Sequence, residues 1–124
     1  MQRLKKDYRQ KKHLLDTLKR LAEGTVVVEG KHDIAALKKL GISAMAYSAV
    51  ESGNVSIPVG RTIYLLTDND RGGDEKRERL KSALLAMDNR HTINDELGRK
   101  LLSMLHATSI EQIFGPAEEI LEEK

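Results

Sequence analysis

A chain of 124 residues, 40% apolar and 32% charged, suits one compact domain that buries about two thirds of its unfolded surface. The absence of cysteine excludes a disulfide framework, a thiolate zinc site and a cysteine nucleophile, so any metal must bind oxygen or imidazole. Net charge is only +2, too small to announce a nucleic-acid partner, yet residues 1–20 hold eight Lys or Arg while residues 111–124 hold five Glu.

No apolar run approaches the roughly 18 residues of a membrane span, and charge begins at Arg3, so the chain reads as cytoplasmic with no membrane partner. Leu4, Tyr8, Leu14, Leu15, Leu18, Leu21 and Ala22 recur at helical spacing, which predicts a basic N-terminal helix over 1–23 that Gly24 ends. Thr25 to Val28 are consecutive strand formers, the pattern of a strand covered on both faces of a parallel sheet. Asp33 is a candidate cap for a helix carrying Ile34, Leu37 and Leu40, and Gly41 suits its left-handed C-terminal residue. A second strand is expected over Ile42 to Tyr47.

Residues 48–61 just suffice for a crossover, but Gly53, Pro58 and Gly60 argue against a regular helix there. Thr62 to Thr67 predict a third strand, which stops at Asp68-Asn69-Asp70-Arg71-Gly72-Gly73. Asp74 is a candidate cap for a helix burying Leu80, Leu84 and Met87. A short strand over His91 to Asn94, a helix over Asp95 to His106, a capping box of Thr108 with Glu111, and a last acidic helix over Ala117 to Lys124 complete the reading. Alternating strands and helices imply one three-layer α/β domain with a central, mainly parallel sheet. A motif-bearing core over 24–87 lies between the N-terminal helix and a helical part over 88–124.

Ligands of open parallel sheets sit beyond the carboxyl ends of the strands, where connections diverge to opposite faces. Two such ends are acidic, Glu29-Gly30-Lys31-His32-Asp33 and Asp68-Asn69-Asp70. If the first and third strands are neighbours, Glu29 and both aspartates share one crevice. Carboxylates two residues apart in extended chain repel by about 2.5 kcal/mol at an effective dielectric of ~20. A divalent cation offsets this at neutral pH, and oxygen-only donors favour Mg2+ or Mn2+. The structural alternative is an aspartate-rich turn that caps the next helix. No P-loop, Gly-x-Gly-x-x-Gly or Gly-x-Ser-x-Gly spacing occurs, and His13, His32, His91 and His106 are scattered.

Val26-Val27-Val28-Glu29-Gly30-Lys31, followed by Ile63-Tyr64-Leu65-Leu66-Thr67-Asp68-Asn69-Asp70-Arg71-Gly72-Gly73, resembles the two signature motifs of the Toprim domain of topoisomerases and primases. The chain is similar to small stand-alone Toprim proteins, most strongly over 24–85. The resemblance implies a Rossmann-like sheet of about four strands with the first and third adjacent. It implies Glu29 as general acid or base and metal-side carboxylate, and Asp68 and Asp70 as magnesium ligands. It also implies Gly30 and Gly73 as points of close backbone approach, and Lys31 and Arg71 near substrate phosphates.

Gly72 stands where type I topoisomerases of the superfamily have a third acid, so the string is closer to the primase and ribosomal-RNA-maturase variants. No room exists for a zinc domain or a second core, and Tyr8, Tyr47 and Tyr64 read as packing residues. The expected function is a magnesium-dependent nuclease or phosphotransfer component acting on structured RNA or duplex DNA. The alternative is a non-catalytic nucleic-acid-binding or assembly module, with protein partners or a homodimer, whose basic N-terminal helix meets phosphates. With four aromatic residues, base stacking is a poor recognition mode. A receiver-type aspartyl-phosphate enzyme would need its nucleophile after the first strand, or a Thr or Val two past the second aspartate, where Gly72 stands.

Overall fold

The computed structural model describes residues 2–53, 55–68 and 71–122, with side chains over 9–53, 55–68 and 74–122. Its strands are β1 (Thr25–Val28), β2 (Ala44–Ala46), β3 (Thr62–Leu66) and β4 (Thr92–Asn94). Around them lie α1 (Gln2–Glu23), α2 (Lys31–Lys39), α3 (Tyr47–Glu51), α4 (Arg71–Met87), α5 (Leu97–Met104), a 3-10 turn at Ile110–Gln112, and α6 (Phe114–Leu121). The sheet order is β2-β1-β3-β4, and every pairing is parallel. The first and third strands are therefore adjacent, as expected for a doubly wound α/β fold.

β1 is buried along its whole length because helices cover both faces of the sheet. Alternate side chains sort between two cores, as a period of two dictates. Val26, Val28, Tyr64 and Leu66 pack with Leu14, Leu21, Leu37 and Leu101. Val27, Ile63 and Leu65 pack on the opposite face with Val50, Leu80 and Leu84. Each fully buried side chain of this kind contributes roughly 1.5–3 kcal/mol. The chain leaving β1 thus turns into α2 on the first face, whereas the chain leaving β3 enters α4 on the second. That divergence opens a crevice between their carboxyl ends.

Several local expectations differ from the structure. Leu15, Ala22 and Met87 lie on the predicted apolar stripes yet face solvent, because a stripe is buried only as far as neighbouring elements extend over it. The crossover contains α3, a five-residue helix, before irregular chain takes over. β2 is half the expected length, since Tyr47 already begins α3. α2 begins at Lys31 with Gly30 as its N-cap, so Asp33 lies in the first turn instead of capping. α4 begins at Arg71, three residues before the expected cap Asp74.

Gly41 has φ +81°, the left-handed value expected of it. Gly24 ends α1 for another reason. A Cβ on Gly24 would stand 2.6 Å from the Thr62 carbonyl oxygen and 2.5 Å from the Tyr64 ring, so β3 passes too close for any side chain. Replacing Gly24 with Ala is expected to cost about 1–3 kcal/mol, the usual penalty of overpacking. Urea denaturation checks this, and a variant as stable as the parent would show that β3 yields easily at this junction.

Candidate functional site

The register Val28↔Leu66 brings the next residues, Glu29 and Thr67, off one edge of the sheet side by side, with Asp68 one step beyond. A cleft of about 320 Å³ opens there, lined by Glu29, Gly30, Lys31, Asp33, Asp68 and Glu111, with His32 at its rim. Of the seven residues expected at the site, Glu29, Asp68, Gly30 and Lys31 meet in this one cleft. Asp70 lies outside the described residues. Arg71 and Gly73 belong to the first turns of α4, and their surroundings lie outside the described side chains.

Each carboxylate is held differently. Asp68 Oδ1 accepts a hydrogen bond from the Ile110 backbone N–H at 3.0 Å, so Asp68 satisfies an end of the 3-10 turn and fixes that turn as one wall of the cleft. This replaces the expected Thr108–Glu111 capping box; Thr108 instead donates to Gln112 Oε1 at 3.4 Å. Glu111 is thereby free to face the cleft, where its Oε2 lies 3.6 Å from His32 Nδ1. Glu29 pairs with Lys76 of α4, Nζ to Oε1 at 3.3 Å.

Asp33 is 7% exposed and accepts a hydrogen bond from the Gly30 backbone N–H. Burial first, then the charges of Asp68, Glu29 and Glu111, push its carboxyl up to about 6 against the partial relief of that N–H. Asp33 therefore feels the other three carboxylates of this cleft. The Tyr47 hydroxyl is buried, has no hydrogen-bond partner among the described residues, and is pushed upward by burial and then by Glu29. It stays a neutral phenol, and Tyr47 and Tyr64 are both buried packing residues.

Behind the cleft stands a buried cation. Arg77 is 6% exposed and donates to Thr67 Oγ1 at 3.3 Å and to Asp74 Oδ1 at 2.6 Å. Its Nε lies 3.4 Å from Asp95 Oδ2, an ion-pair distance outside hydrogen-bonding geometry. Asp74 also accepts from Arg99 at 2.9 Å, and the Arg77 hydrogen bond holds its carboxyl below the ordinary range. Arg77 thus ties α4 to the residue that precedes Asp68.

Glu29, Asp33, Asp68 and Glu111 give the cleft a negative field and a donor set dominated by carboxylate oxygen, with the His32 imidazole beside Glu111, which suits a hard divalent cation better than an anion. Among the described residues, no three acidic or histidine side chains are already drawn together around a single ion position. Sequence reasoning missed Asp33 as a cleft residue, Glu111, Lys76 and Arg77. Only Arg77 left a signal, since Arg77, Leu80 and Leu84 share one helical stripe and Asp74 stands three residues before it.

No protein-family model matches the chain. A UPF0292 protein of Thermococcus gammatolerans is 27% identical over 110 residues, spanning 84% of this chain and 83% of the relative. A solved structure of a protein from Aquifex aeolicus superposes with a TM-score of 0.59 at 25% identity, covering 79% of this chain and 95% of the other. Neither name carries an activity. Among the described residues, no helix is long and apolar enough to cross a membrane.

Asp33 generates a pH prediction with a definite sign. Its folded value of about 6 exceeds the ordinary 3.8, so between these values the folded state retains a proton that the unfolded state has lost. Stability therefore falls as pH rises through roughly 4 to 6. Asp33→Asn, whose side-chain oxygen can still accept from Gly30, should match the parent near pH 3.5. Near pH 8 in chelator it should be more stable by roughly 2–3 kcal/mol. Equal stability at both pH values would show that neither burial nor the neighbouring carboxylates disfavour the charged form of Asp33.

Proposed function

We propose that this protein is a magnesium- or manganese-dependent component that cleaves or transfers phosphodiesters of structured RNA or duplex DNA. The observation that carries the proposal is the meeting of Glu29 and Asp68 in one cleft at the carboxyl ends of two adjacent parallel strands. The likeness of both strand-end strings to Toprim motifs supports the same reading. Attack at a phosphodiester needs charge neutralisation, alignment and proton transfer to the leaving oxygen.

The divalent ion, when bound, supplies the charge neutralisation. Asp68, anchored through Oδ1, is one carboxylate that would hold it; Asp70 is proposed as a second and Glu29 as a third. Glu29, 19% exposed, is proposed as the general acid or base that moves the proton. Lys31, exposed at the first position of α2, adds positive charge where that helix presents its N-terminal N–H groups, a favourable setting for a phosphate. Arg71 is assigned to the developing phosphate charge by resemblance.

A second reading has its own observation. Arg9, Lys12, Lys19 and Arg20 are exposed along α1, a basic face suited to non-specific phosphate contacts in a module without catalysis. Labelled RNA and DNA hairpins incubated with Mg2+ or Mn2+ separate the two. Cleavage is expected with the parent, lost in chelator, and reduced about 100-fold or more in Glu29→Gln. Intact hairpins in every lane, with binding that weakens steeply in salt and survives Asp68→Asn, would overturn the catalytic reading in favour of the second.

A further inference from the structure

We propose that Lys76 is an exchangeable counter-ion: in the free protein its ammonium neutralises Glu29, and when a divalent cation enters the cleft it transfers to a phosphate of the bound nucleic acid. The inference rests on the cation site proposed above and assigns that site a residue which neither strand-end motif contains.

The geometry is a single short contact between unequally buried partners. Glu29 is 19% exposed and Lys76 50% exposed, at 3.3 Å. A pair with one partner half in water is worth only about 0.2–1 kcal/mol, so it breaks readily when a stronger charge arrives. The setting calls for such a charge, because among the described side chains the cleft lining holds Glu29, Asp33, Asp68 and Glu111 against Lys31 as its one Lys or Arg.

Once a divalent ion neutralises Glu29, the Lys76 ammonium loses its attraction there. It then stands at the mouth of a site whose ligand carries phosphate. Arg77, its neighbour in sequence, cannot exchange in this way. It is buried and hydrogen-bonded to Thr67 and Asp74, so it stays with the fold while Lys76 is free to serve the ligand. Consecutive cations on α4 thus have opposite assignments because one points into the protein and the other toward water.

The exchange makes two effects of opposite sign. In Lys76→Gln without nucleic acid, Mn2+ should bind about two- to five-fold more tightly by calorimetry, because no ammonium competes for Glu29. The same variant should bind an RNA or DNA hairpin more weakly, with a log-log salt slope shallower by roughly 0.7–0.9, the signature of one lost phosphate contact. Lys76→Arg should bind the hairpin like the parent. The gain in Mn2+ affinity should vanish when Glu29→Gln is already present, which assigns it to this pair.

If the parent binds Mn2+ but Lys76→Gln binds it equally or less tightly, the counter-ion proposal is wrong and the cation site stands. If the parent itself takes up no Mn2+ at millimolar concentration, the cation site is wrong and the exchange falls with it.

Discussion

The parallel pairing of β1 with β3 is the constraint on which everything else here depends. Four register pairs, ending at Val28↔Leu66, fix where both chains leave the sheet. Parallel pairing puts both exits at the same edge, and their departure to opposite faces leaves a gap between them. Shifting β3 by one residue would exchange Ile63 and Leu65 with Tyr64 and Leu66 between the two cores. The hydrophobic sorting that stabilises the sheet is therefore also what aligns Glu29 with the approach to Asp68.

Gathering acids at one edge has an electrostatic cost, and the fold meets it in two ways. Backbone N–H groups of Gly30 and Ile110 serve Asp33 and Asp68, and the buried guanidinium of Arg77 steadies Thr67 from behind. These compensations are built from elements that cannot leave without unfolding something. Burial first, and then the remaining repulsion, are expressed in the raised carboxyl of Asp33. Lys76 supplies a compensation of the other kind, superficial and cheap to displace.

The strands were legible because runs such as Thr25–Val28 and Thr62–Leu66 set strand-forming, mostly apolar side chains at consecutive positions, and few alternatives fit a run that short between glycine-containing turns. Glu29 and Asp68 were legible because strand ends are where an open sheet exposes chemistry. Asp33 and Asp74 were misplaced within their helices, since an acid at the cap and one in the first turn satisfy the same free N–H groups and look alike in sequence.

The long-range contacts left no local trace. Asp68 bonds Ile110 across 42 residues, and no periodicity in either segment reports the other. The same holds for the pairing of Lys76 with Glu29. Leu15 and Met87 fall in a further class, since helical spacing specifies which side is apolar but the length of the neighbouring elements decides how much of it is covered.

The bond between the Asp68 carboxylate and the Ile110 amide also decides what counts as a portable unit. The stretch that carries both acidic strand ends is not self-sufficient, because one wall of its crevice and one restraint on its aspartate are lent by a turn far downstream. A graft of this chemistry onto another scaffold must bring that downstream turn along, or else supply a replacement donor for the orphaned carboxylate.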